Sequence, residues 1–339
     1  MLWKPFLFLN HLALPALLIA GAQIGGWAYS WSMIYSFVVV PLIDWPHPRA
    51  ETAISKKPLR PFHLIMWLYV PLQVVIWVWG LWHFHTHPLS TLESVLFTMG
   101  MGVQTGAIGI TVAHELIHRR SRIERGMGLL LLSHVHYMHF RIEHVFGHHV
   151  WVGTPKDPAS APRGMNVYTF WIYSTFWSYV HAWRWEMERL RIAKRAPLSW
   201  RNRMYHYAIF QGLLAFGVFH FTDASTLLFH LVQGTLGFLL LETLNYIQHY
   251  GLRRREKAPG QYEIVTPAHS WDAPQGLTNK LLYNLGLHAL HHSSPTFRYE
   301  QLRAHPDAPK LPVGYPGAAV LALLPPVWKK IMDHRIPAR

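Results

Sequence analysis

The sequence predicts an all-α integral membrane protein in which six transmembrane helices carry a cytoplasmic, histidine-rich cap. Three observations predict it. Six apolar runs approach the roughly 20 residues that cross a bilayer. Only 14% of the chain is charged and 51% is hydrophobic, where a typical soluble protein is about 25% charged. The basic residues fall in every second loop, and 16 Trp and 15 Tyr supply the amphipathic rings that collect at bilayer interfaces. A mean hydropathy of only +0.10 predicts that the spans share the chain with a sizeable polar half.

The runs lie near residues 5–22, 27–43, 64–82, 92–114, 205–221 and 226–249. The first is the weakest, with Asn10, His11 and Pro15 inside it. It lacks a small-residue cleavage site and a second run follows directly, so it reads as a span and not as a removed signal. Orientation follows from the loops. Arg49, Lys56, Lys57 and Arg60 separate the second and third runs. Arg119, Arg120, Arg122 and Arg125 follow the fourth, and Arg253, Arg254, Arg255 and Lys257 follow the sixth. The alternate loops, 23–26, 84–91 and 222–225, hold no Lys or Arg. Positive-inside reasoning therefore places both termini on the cytoplasmic side of the inner membrane. It leaves a cytoplasmic insert over 119–204 and a cytoplasmic tail over 253–339, all in a single domain of 1–339. Trp171, Tyr173, Trp177, Tyr179, Trp183 and Trp185 read as interfacial helix, or equally as a packed aromatic core. The stretch 312–328 reads as re-entrant or interfacial.

A net charge of +14 fits this topology, anionic membrane lipids and an acidic partner protein. Nucleic-acid binding is not expected, because the basic residues sit in loops beside apolar spans. The absence of cysteine excludes disulfides, thiolate metal sites and a built-in iron–sulfur or rubredoxin centre. Redox chemistry here would need electrons from a separate protein.

The chemistry is carried by histidines. His144 and His148 are four apart, one helical turn on one face, with His149 beside them. His114 and His118 repeat the spacing, His288, His291 and His292 restate the triple, and His249 ends the last apolar run. The topology brings all nine to one membrane depth, enough nitrogen for two borderline metals such as Fe, Zn or Cu. Nine neutral imidazoles leave such metals with uncompensated positive charge, so nearby carboxylates are expected to orient ring N–H groups. Glu115, Glu143, Asp157, Glu242 and Asp272 are the candidates, with Asn245 on the face of His249 and with His139, His269 and Asn284 in support. Trp45, Trp67 and Tyr69 are candidates to set how long a substrate fits.

His114-Glu115-Leu116-Ile117-His118 also matches the zinc-protease pattern. A protease needs one further ligand and would leave six of the histidines without a role. A metal transporter would want ionisable groups in the membrane interior, where these spans are nearly uncharged. A histidine site above an apolar channel suits O₂ activation beside a greasy substrate, which favours iron over redox-inert zinc.

These residues resemble the membrane-bound alkane 1-monooxygenases, within the fatty-acid desaturase/hydroxylase superfamily. The resemblance rests on Ala113 to Arg119, Glu143 to His149, Leu244 to Gly251 and Leu282 to His292. Thr154 to Ser160, His269-Ser270-Trp271 and Leu311 to Gly317 add to it. It covers most of the chain from about residue 100 onward, with Gln248 standing where an acidic residue is associated with the family. The resemblance implies a di-iron cap and terminal hydroxylation of linear alkanes, with O₂ as co-substrate. It also implies electrons from NAD(P)H through rubredoxin reductase and rubredoxin. The implied iron ligands are His114, His118, His144, His148, His149, His249, His288, His291 and His292. Xylene-type methyl monooxygenases and lipid desaturases share the histidines, so aromatic methyl hydroxylation and desaturation stay open as alternatives.

Overall fold

Among the described residues, five helices are long and apolar enough to cross a membrane: α1 (Lys4–Ile24), α2 (Gly26–Asp44), α3 (Arg60–Thr86), α4 (Thr91–Ile117) and α8 (Ala224–His249). The computed structural model describes residues 4–44, 54–55 and 57–337; Trp45 lies outside them. At about 1.5 Å per residue, the 27-residue α3 and α4 reach roughly 40 Å, enough to carry their ends beyond the hydrocarbon. The expected fifth run forms α7 (Arg203–Phe221), but its Arg203, His206, Gln211 and His220 leave it less apolar than the other five.

Local signals set the ends. Ser90 and Glu93 form a capping box at the start of α4. The same Glu93 accepts the Gly26 N–H at 2.7 Å, tying the α1–α2 turn to α4. Asp223 caps α8 through Thr226 N–H at 2.8 Å. Where α4 and α8 cross, Gly106 meets Gly237 so closely that an added Cβ would lie 2.7 Å from the Gly237 Cα. Small residues permit this approach, and van der Waals packing is what joins helices in lipid. Buried polar side chains there pair with one another in part, as apolar surroundings favour. Gln104 donates to Tyr69 and Gln73 at 2.9 and 3.2 Å, and Thr105 donates to Gln233 at 2.9 Å.

The insert does more than cap the spans. Helix α5 (Arg122–Ser133) turns back along the end of α4, with Gly128 fitted against Ile117, Ala113 and Leu116. Its tip, His134–Tyr137, reaches Gly234 on α8. That is 15 residues before His249, so about 22 Å along the helix. The chain then climbs back through Phe140–Trp151. The aromatic stretch is one helix, α6 (Val167–Ile192). One face is held to α8 by Trp171 Nε1 to Thr243 and Ser174 Oγ to Glu242, while Ile172, Phe176 and Tyr179 stay exposed. The tail adds a small antiparallel hairpin, Glu256–Ala258 with Gln261–Tyr262. It ends in two eight-residue helices, Tyr315–Ala322 and Pro325–Met332, too short to cross a bilayer. Of the described residues named for substrate length, Trp67 is exposed and hydrogen-bonds Glu124, and Tyr69 is buried against Gln73.

Candidate metal centre

All nine histidines converge in two groups. His114, His118, His144, His149 and His291 form one, and His148, His249, His288 and His292 the other. Within each, one ring nitrogen per residue lies within 4.8 Å of every other. The division departs from the four-residue spacing. His144 and His148 fall in different groups because Glu143–His148 is a π-helical turn, with His149 N–H bonded to the His144 carbonyl. A fifth-residue repeat aligns His144 with His149, whose Nε2 atoms are 3.1 Å apart, and sends His148 the other way. Gly147 allows the tight turn: a Cβ there would lie 2.9 Å from Trp185 Nε1 and 3.0 Å from Glu143 Oε1. In the short helix His288–Ser293 the ordinary spacing holds. His288 and His292 share a group with Nε2 atoms 2.9 Å apart, while His291 faces the other.

The donors fit a metal. His144 Nε2 lies 2.9 Å from His114 Nε2 and 3.1 Å from His149 Nε2, and the latter is 3.1 Å from His291 Nε2. A ring nitrogen carries one proton or one in-plane lone pair, so this chain of three contacts through single Nε2 atoms cannot be satisfied by N–H···N bonds alone. For metal–nitrogen bonds of about 2.1 Å, neighbouring donors lie roughly 3.0–3.4 Å apart. The observed spacings of 2.9–3.2 Å match that edge. His118 Nε2 and His249 Nε2 are buried without a protein hydrogen-bond partner. Burial, and then neighbouring imidazoles, holds His118, His144, His149, His288, His291 and His292 below the ordinary histidine range. All six are therefore neutral, the state that binds metal.

The supporting residues divide by what they touch. Asp157 Oδ2 accepts from His148 Nδ1 at 2.9 Å and from Ser160 Oγ at 2.5 Å. Burial alone would raise this carboxyl; the His148 contacts outweigh it and hold it below its usual range. His269 acts through its carbonyl, which accepts from His249 Nδ1 at 3.2 Å. Asp272 accepts the Ala289 N–H at 2.9 Å and so positions the His288–Ser293 helix; burial pushes its carboxyl up to about 6. Glu143 is buried beside the π-turn, and burial, then Asp157 and Glu242, raise its carboxyl well above the ordinary range.

Glu115 pairs with Arg119 at 2.8 Å, and Arg119 also holds the Thr296 and Phe297 carbonyls. A protease glutamate must be free to take a proton from metal-bound water, and this one is committed to a buried ion pair. Glu242 accepts from Tyr137 and Ser174 at 2.8 and 2.6 Å, anchoring the insert to α8. Asn284 sits at φ 57° and donates to the Tyr299 carbonyl at 2.8 Å. His139 packs on Tyr137 and Tyr179, outside both histidine groups. Nothing in the spacing marked Arg119, Ser160 or the π-turn. Only Gly147 within the histidine run hinted at a distorted helix.

Cavities that share wall residues run from the histidines toward the outer surface of the helices. The inner chamber is bounded by His114, His144 and His288, with Ile110, Leu241 and Leu244 among its walls. It shares Leu244 with an apolar slot. The slot shares Phe37, Val103, Leu240 and Ala319 with an outer groove of about 370 Å³. Met99, Val320 and Leu323 of that groove are exposed.

The fatty acid desaturase family model matches residues 90–315. The chain is 36% identical to alkane 1-monooxygenase 2 of Pseudomonas aeruginosa, across 92% of this chain and 85% of that protein. It is 31% identical to an alkane 1-monooxygenase of Pseudomonas putida, across 96% and 82%. It is 27% identical to the hydroxylase component of a xylene/toluene monooxygenase of Pseudomonas putida, across 91% and 83%. The paired histidine groups, the apolar cavities that lead to them and these matches agree: the chain belongs to the alkane 1-monooxygenase family.

Proposed function

We propose that the protein is a membrane-bound, O₂-dependent hydroxylase of the terminal methyl of linear alkanes, using two irons held by its nine histidines. The observation that carries this is the pairing of five- and four-nitrogen groups at the inner end of an apolar cavity chain. In this reading six helices cross the inner membrane, α7 included, and both termini and both histidine groups are cytoplasmic, since the basic loops border that end. Rubredoxin and its NAD(P)H-dependent reductase supply the electrons.

The balance is alkane, O₂, two electrons and two protons giving primary alcohol and water. Iron in the two groups supplies redox activation of O₂, which an unactivated C–H bond requires. The chain's own residues do the rest. Asp157 and the His269 carbonyl take the Nδ1 protons of His148 and His249 and turn the Nε2 lone pairs inward. The outer groove takes substrate from the bilayer. Phe37, Val103 and Leu240 thread it into the slot, and Leu244 admits its end to the chamber below His114, His144 and His288. An alkane has no hydrogen-bonding group, so wall shape alone sets which carbon arrives, at roughly 1–3 kcal/mol per methylene. The end of the channel makes that carbon the terminal one. Cells expressing the protein with a rubredoxin donor, fed octane, dodecane, hexadecane and p-xylene, should form 1-alkanols by gas chromatography. His144→Ala should lose iron and activity together. Activity without iron would overturn the proposal.

A further inference from the structure

The given sequence has no cysteine and so holds no iron–sulfur or rubredoxin centre within it, which directs attention to the surface through which electrons enter. Among the five-histidine group only His118 and His149 are half-buried. Immediately after His149 come Val150, which is 49% exposed, and Trp151. Two cations join this edge to the tail hairpin. Arg254 donates to the Val150 carbonyl at 2.8 Å and to the Glu263 carbonyl at 2.6 Å. The Lys156 ammonium lies 4.3 Å from the Trp151 ring centroid and 6.0 Å from that of Tyr262. Side by side they present Val150, Trp151, Tyr262 and Ile264, the last 77% exposed. Lys156 and Arg255 are exposed at the border.

This patch adjoins the five-histidine group along the chain and is linked to the other through Glu263 and His269. Toward the five-histidine group, Val150 is bonded directly to His149. Toward the other, Glu263 Oε1 lies 3.1 Å from His269 Nε2, and the His269 carbonyl accepts from His249 Nδ1 at 3.2 Å. An apolar centre with a cationic rim fits a partner of opposite charge. Rim charges speed and orient encounter, and the dry centre brings redox groups close.

We propose that Val150, Trp151, Tyr262 and Ile264, rimmed by Lys156 and Arg255, form the docking site for a small acidic one-electron carrier protein. This rests on the oxygenase reading above. The carrier is oxidised by one electron per encounter; two encounters supply two electrons, which with two protons and the two electrons given up by the C–H bond take O₂ to one water and one alcohol oxygen. Lys156 and Ile264, the two positions changed in the test, are exposed and belong to neither histidine group.

The test uses full-length protein in nanodiscs with purified reduced rubredoxin as the acidic donor. Lys156→Glu and Ile264→Glu should each raise the KM for donor at least tenfold, with wild-type iron content. Lys156→Glu should also flatten the salt dependence of that KM, and Lys156→Arg should restore both. Alcohol formed in a single turnover driven by dithionite and a small mediator should be unchanged. An unchanged donor KM in both Glu variants overturns the site. So does a KM change that is matched by an equal loss of mediator-driven turnover, because the defect then lies in the centre. If wild-type protein forms no alcohol under either reductant, the oxygenase reading fails instead, and direct binding of donor to wild type and variants still judges the patch.

Discussion

Asp157→Asn separates the two histidine groups. The carboxylate is buried, with Oδ2 accepting from His148 Nδ1 and Ser160 and Oδ1 accepting the Ala159 N–H at 3.1 Å. An amide of the same shape cannot meet all three. With its oxygen toward His148, its NH₂ faces the Ala159 N–H; reversed, its NH₂ faces the His148 N–H. Either orientation sets donor against donor, at about 1–3 kcal/mol for a buried group, and the charge is lost as well. Loss of a carboxylate behind a metal-binding histidine weakens metal binding about 10–100-fold, which is ~1.4–2.7 kcal/mol. His148 belongs to the four-histidine group alone, so iron should fall by about one ion per chain while the five-histidine group stays loaded. Mass spectrometry of the metal, Mössbauer spectroscopy and alkanol yield measure this. The coupled iron signal should give way to an isolated site, with turnover lost. Full iron with wild-type turnover would refute the assignment of Asp157, and loss of both irons together would refute the independence of the groups.

Leu244→Trp should plug the junction between chamber and slot, cutting dodecane turnover at least tenfold at normal iron content; unchanged turnover would place the route elsewhere. Gly147→Ala drives a methyl against Trp185 and Glu143, and overpacking of this kind destabilises by about 1–3 kcal/mol, read as a lowered Tm in detergent. Glu186 is buried; burial raises its carboxyl, but hydrogen bonds from Arg203 and Arg189 outweigh this and hold it at about 2. A depressed acid contributes stability above its unfolded value of about 4.5 and loses it as pH falls toward 2. That is at most about 3 kcal/mol before screening at the partly exposed arginines is discounted. Metal-free wild type should therefore lose its thermal advantage over Glu186→Gln progressively between about pH 5 and 2, and a constant difference would refute the ion cluster.

The parts legible in the sequence were those set by periodicity and composition. Apolar length marked α1 to α4 and α8, and α7 was weaker because Arg203, Gln211 and two histidines interrupt it. The nine histidines stood out because few folds need so many imidazoles at one depth. Their division into groups was hidden, since reading His144 and His148 as partners presumes a regular helix and the π-turn replaces that repeat. The carboxylates were misassigned in part for a similar reason. Sequence spacing finds groups that share a helix face, whereas Glu242 meets Tyr137 and Ser174 from distant segments. The descent of α5 beside α4 was also illegible, because Arg122, Glu124 and Arg125 at its start read as loop.

The π-turn bears on more than register. An α-helical Glu143–His149 would stack His144 over His148 and point His149 away, so His148 would replace His149 in the first group and leave the second one donor short. The widened turn instead distributes three successive histidines between two groups whose other members come from α4, α8 and the tail. Each group therefore draws on segments far apart in sequence, and neither assembles until the insert has folded back on the spans. The same fold-back sets α5 and its tip against α4 and α8, on the floor side of the chamber where Gly106 and Gly237 meet. Packing α5 against α4 and α8 and completing the nitrogen groups therefore depend on the same fold-back.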